Sequence, residues 1–185
     1  MTICSAVLIV SAMSAQEKAS VPPPPKPADE GPSLQVTMQF IQEKLKAKQT
    51  DYTDITADPA NCQITFARQI FPGNPNYVID FTTTFSFREV EKVEVMPARE
   101  YSGPSARWEN PPSPDAFVLR VSTTTEKSVR QHEAEFKKGK LTRSDDFYVG
   151  KWALNFKDQD TPNRLAKAMV HAVELCGGGS KPEPF

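Results

Sequence analysis

Tyr77, Ile79, Phe81, Thr83 and Phe85 fill every second position of one short stretch. Side chains of an extended strand point alternately to opposite faces, so such a run buries one face and shows the other to water. A chain holding this segment must supply an apolar surface for that face to pack on. The same period of two recurs over 61–70, where Cys62, Ile64 and Phe66 share a face opposite Gln63 and Thr65. It returns in Val93 and Val95, in Phe117, Leu119 and Val121, and in Trp152, Leu154 and Phe156. Phe71-Pro72-Gly73-Asn74-Pro75-Asn76 concentrates turn chemistry between the first two strands. Val129 to Phe136 and Leu141 to Val149 read as the arms of a hairpin turning on Lys137-Lys138-Gly139-Lys140. Six to seven strands joined mostly by short turns imply antiparallel pairing, because a parallel neighbour needs a crossover of about a dozen residues.

Amphipathic helices bracket the strands. Ser33 suits an N-cap, and Leu34, Met38, Ile41 and Leu45 recur at helical spacing among polar residues, which predicts a helix to about Lys48. Thr161-Pro162 opens a second helix, with proline expected at the first helical position, where its missing N–H costs nothing. Leu165, Met169, Ala172 and Cys176 form the stripe of that helix, and Gly177 supplies a left-handed stop. The expected class is α+β: a bent antiparallel sheet or partly open barrel of six to seven strands, with an N-terminal helix and a packed C-terminal helix.

Cys62 on the apolar face of its strand and Cys176 on the apolar stripe of the last helix both look towards the helix–sheet interface. In an oxidising compartment such a pair forms a disulfide, the alternative being two buried thiols that act as small hydrophobes. The N-terminus bears on the compartment. Residues 3–15, ICSAVLIVSAMSA, are uncharged and mostly apolar or small, and end in a small-x-small pattern before Gln16. This suits a signal peptide over 1–15 and is too short for a membrane span of about twenty apolar residues, although no positive charge precedes it. Val21-Pro-Pro-Pro-Pro-Lys26-Pro27 marks 16–32 as a polyproline linker. A single domain is expected over 33–178 and a flexible tail over 179–185. The expected location is periplasmic or secreted, with no integral span in the mature chain.

Twenty-two basic against 23 acidic residues, with no basic run beyond the Lys137–Lys140 cluster, give a phosphate backbone little to bind. No Gly-x-Ser-x-Gly elbow, Walker loop or Cys-x-x-Cys occurs, so no catalytic residue, cofactor or metal is assigned. His132 with Asp145 or Asp146 is the acid–base candidate, and His171 on the last helix reads as a partly buried helix residue. Trp108 and Tyr101 lie in a proline-rich loop, where large rings either anchor a partner or pack onto their own domain.

Phe85-Ser-Phe-Arg-Glu-Val-Glu-Lys-Val-Glu-Val95, Phe117-Val-Leu-Arg-Val121 and Trp152-Ala-Leu-Asn-Phe156, running into Arg164-Leu-Ala-Lys-Ala-Met-Val-His-Ala-Val-Glu-Leu-Cys176, come in a significant order. That order resembles bacterial pleckstrin-homology-like domains, in which a C-terminal helix plugs a bent sheet. The ending His-Ala-Val-Glu-Leu-Cys-Gly-Gly is also similar to that of exported bacterial proteins with an N-terminal helix. The resemblance covers about 33–178 and implies a PH-like fold; no basic phosphoinositide pocket accompanies it. The expected function is a non-enzymatic binding or interaction module of the bacterial cell envelope, partnered by an envelope protein. A hydrolase or a structural accessory domain are the alternatives.

Overall fold

The alternating face that carries Ile64, Phe66 and Phe85 is buried, and it meets a second sheet and two helices. The structure, a computed structural model, describes residues 31–74, 76–101 and 115–179. Along the chain run α1 (Leu34–Lys48), β1 (Asp54–Asp58), β2 (Gln63–Ile70), β3 (Tyr77–Ser86), β4 (Val90–Pro97) and β5 (Phe117–Thr123). β6 (Val129–Lys137), β7 (Lys140–Val149), β8 (Lys151–Phe156) and α2 (Asp160–Leu175) complete it. Among the described residues all ladders are antiparallel, in a five-stranded sheet of order β1-β2-β3-β6-β7 and a three-stranded sheet of order β4-β5-β8. The α+β class, with its two terminal helices and antiparallel sheets that do not close into a barrel, is as expected; among the described residues the strands number eight, one more than expected.

The extra strand is β1. Its sequence, Asp-Ile-Thr-Ala-Asp, carries one large apolar side chain, Ile55, too little for a pattern to be read. Tertiary partners make it a strand: β2 ladders along it, and Gln42 of α1 accepts a hydrogen bond from the Ala57 N–H at 2.6 Å. The sheets separate at a 3-10 turn, Phe87–Glu89, which buries Phe87 and sends the chain from β3 into β4.

The core lies between the sheets and under the helices. The Trp152 ring is 4.2 Å from Phe66 and 5.3 Å from Phe85 by centroid, so one β8 side chain joins both sheets. Met38, Ile41 and Leu45 of α1 and Leu165, Met169 and Ala172 of α2 enter the same cluster. A smaller cluster of Ala98, Ala116, Val118 and Ala153 sits apart from it. β5 and β8 thus bury both faces, Val118 beside Leu119 and Ala153 beside Leu154, where alternation alone predicts one.

The last helix begins earlier than Thr161-Pro162 suggests. Asp160 is its first residue and Pro162 its third, still within the turn whose N–H groups have no helical acceptor. Asp158 Oδ1 accepts from the Thr161 N–H at 2.8 Å and supplies the cap. That bond and the Thr161 side chain hold the Asp158 carboxyl below its ordinary pKa. A carboxylate with a depressed native pKa stabilises the fold above its unfolded pKa and loses that contribution as pH falls through the native value. Asp158→Ala is expected to cost about 1 kcal/mol at neutral pH. The deficit should shrink in acid, below pH ~4, when urea midpoints of the two proteins are compared.

Cys62 and Cys176 are at bonding distance, Sγ–Sγ 2.17 Å, with Cα atoms 6.0 Å apart across 114 residues. Neither sits quite where periodicity puts it. Cys62 precedes β2 in a left-handed conformation, φ 55°, its carbonyl accepting from the Phe87 N–H, and Cys176 is the C-cap of α2. Beyond it Gly177 takes φ 73°, as expected of the stop. Gly178 then presses on the 3-10 turn so closely that a Cβ there would lie 2.3 Å from the Phe87 carbonyl oxygen. Gly178 donates to the Val173 carbonyl and Gly179 to that of Val90, which ties the chain down through Gly179.

Candidate functional site

Cross-strand register decides which polar side chains share a face. Thr82 lies opposite His132 and Thr84 opposite Arg130 on β3 and β6; His132 lies opposite Asp146 and Arg130 opposite Tyr148 on β6 and β7. Directly opposed residues point the same way, so Thr82, His132 and Asp146 form one row across the sheet, and Thr84, Arg130 and Tyr148 the next. Thr65 extends the second row, its hydroxyl 3.0 Å from that of Thr84, and Gln69 donates to Asp80 at 2.9 Å nearby. This face is the reverse of the one carrying Phe66 and Phe85 into the core. Among the described residues no helix packs over it: α1 lies against β1 and α2, and α2 against β4, β5 and the 3-10 turn.

Asp146 organises its centre. The Arg130 guanidinium grips the carboxylate from two nitrogens at 3.1 and 3.0 Å, and His132 Nδ1 is 3.0 Å from Oδ1. The Arg130 bonds first, and the His132 bond next, hold the Asp146 carboxyl below its ordinary pKa. A carboxylate held by a bidentate arginine fixes the ring beside it. Thr82, Thr84, Arg130 and His132 line a surface cavity of about 210 Å³. A second, of about 330 Å³, opens on the same sheet between Gln69, Asn76, Val78, Asp80, Phe136 and Lys138. The face therefore presents hydroxyl, amide and imidazole groups to solvent, with Arg130 and Asp146 paired on one another at its centre.

Of the sequence candidates, the structure joins His132 to Asp146 and separates both from Asp145. Asp145 faces the other way, bonded to Arg143, which also reaches Glu135 at 3.5 Å. Tyr101 is half-buried and packs with Met96 against the small alanine and valine cluster, and that burial raises its phenol pKa. Trp108 lies outside the described residues, as do the expected signal peptide and most of the linker. His171 is 2.9 Å from the Pro32 carbonyl oxygen through Nε2, joining the last helix to the chain before α1. No group of three metal-ligating side chains occurs among the described residues. Thr82, Thr84 and Arg130 carry no motif; only the β3–β6 register reveals them as neighbours of His132. Comparison of the chain with known proteins found no matching family model, no matching curated protein and no matching solved structure.

Proposed function

We propose that this chain is an exported, non-enzymatic binding module of the bacterial cell envelope, which engages an envelope component across the uncovered face of its five-stranded sheet. The observation that carries this reading is the ordered polar array over β2, β3, β6 and β7, centred on Thr82, Thr84, Arg130 and His132. Pre-paired side chains on rigid strands bind a polar ligand with little ordering cost. The cysteine pair supports the exported setting, and no helix of the described residues is long and apolar enough to cross a membrane. The helix α2 lying against the three-stranded sheet supports a PH-like reading of the fold.

One observation favours a second reading. Asp146 fixes the His132 ring through Nδ1, an arrangement that suits acid–base work by Nε2. A single set of proteins separates the two. Purified wild type, Thr82→Lys/Thr84→Lys and His132→Ala are co-sedimented with isolated envelope fractions and assayed for ester and glycoside hydrolysis. The binding reading expects wild type in the pellet, the double lysine variant depleted about tenfold, equivalent to about 1.4 kcal/mol, and no sustained turnover. Equal retention of both proteins removes the face from the site. Turnover that is lost in His132→Ala overturns the binding reading in favour of the hydrolase.

A further inference from the structure

The edges of the two sheets are not equally protected. β1 lies against α1 and β4 against α2, and on β8 the Gln49 side chain bonds the Asn155 carbonyl at 2.8 Å. β7 is different. It is ten residues long, ladders among the described residues only with β6, and is exposed at every position over 140–146. An open edge of that length offers a row of backbone donors and acceptors to another strand.

The charges along β7 specify which strand. Lys140 and Arg143 stand in its first half, Asp145 and Asp146 in its second. An antiparallel copy reverses that order and sets plus against minus, whereas a parallel copy sets like against like. We infer that β7 pairs antiparallel with β7 of a second copy of this chain about a twofold axis at Ser144, joining the two five-stranded sheets. In this register Arg143 of each copy faces Asp145 of the other. Both side chains lie on one face of the strand, since they oppose Glu135 and Glu133 on β6, so each cross-strand pair is well placed for an ion pair. Moving the axis to Arg143 or to Asp145 sets that residue against itself, and like charges directly opposite are destabilising. The chosen register also brings Leu141, 58% exposed, next to Tyr148 of the other copy, 50% exposed and on the same face, covering apolar surface that now faces water. The inference stands apart from the identity of any envelope ligand; where both hold, pairing makes the polar face continuous across two copies.

Sedimentation equilibrium on the full oxidised chain tests this with Arg143→Asp, Asp145→Arg and the double exchange. Arg143 and Asp145 are exposed, and far-UV circular dichroism confirms that each variant keeps the monomer fold. Wild type is expected to dimerise, each single reversal to weaken the dimer at least tenfold by creating two like-charge pairs, and the double exchange to restore it. Wild type that stays monomeric at its highest soluble concentration overturns the inference. So does a dimer that the single reversals leave unchanged, or one that the double exchange fails to recover.

Discussion

Removing the link between Cys62 and Cys176, by reductant or by Cys176→Ser, is expected to lower the unfolding free energy by about 4–5 kcal/mol in the chain-entropy model. The magnitude follows from the sequence separation of 114 between the cysteines, which encloses every strand after β1 and all of α2. The bond acts mainly on the unfolded chain, whose ends it keeps from separating. In the native state the neighbouring groups already hold the site: Phe87 donates to Cys62, Gly178 to Val173 and Gly179 to Val90. The reduced protein should therefore keep its fold while unfolding at lower denaturant. Urea curves with and without reductant should show a lower midpoint and a steeper slope, the slope rising because a longer free chain exposes more surface. Coincident curves would mean that the bond contributes nothing to stability.

Trp152→Ala is expected to cost about 3–5 kcal/mol, comparable to the whole stability of a marginal domain. Trp152 is almost fully buried on β8, and its ring meets Phe66 of β2 and Phe85 of β3 across the gap between the sheets. Removing the ring deletes contacts to both and leaves a cavity lined by large aromatic rings that cannot collapse without moving a strand. Thermal unfolding followed by near-UV circular dichroism measures the loss. A midpoint within a degree or two of wild type would show that the sheets are joined elsewhere.

These effects were unequally visible in the sequence. Alternation over Tyr77–Phe85 and helical spacing through Leu34, Met38, Ile41 and Leu45 identify their elements because the period of a strand or helix is written directly into the order of apolar and polar residues. The Lys137–Lys140 hairpin was legible for a related reason: Lys138 and Gly139 take φ 51° and 73°, and glycine favours such a turn. Cys62 and Cys176 were legible as a facing pair, though the left-handed turn holding Cys62 was not. β1 was hidden, since Ile55 alone makes no period and β2 and α1 make it a strand. The cap that Asp158 gives the last helix was not legible, because capping depends on where the backbone turns.

The candidate site shows the division most sharply. Residue order by itself indicated that β6 and β7 form a hairpin, which made Asp145 and Asp146 on the second arm the candidate partners of His132. It did not determine which acid. From the turn the ladder runs Lys137 to Lys140 and Phe136 to Leu141, a register that would carry His132 to Asp145. A bulge between Glu135 and Phe136 shifts it by one residue, so that His132 meets Asp146 and Asp145 turns to the other face. A strand's side chains alternate strictly, so one inserted residue exchanges the two faces, and only the folded ladder records where that residue was placed.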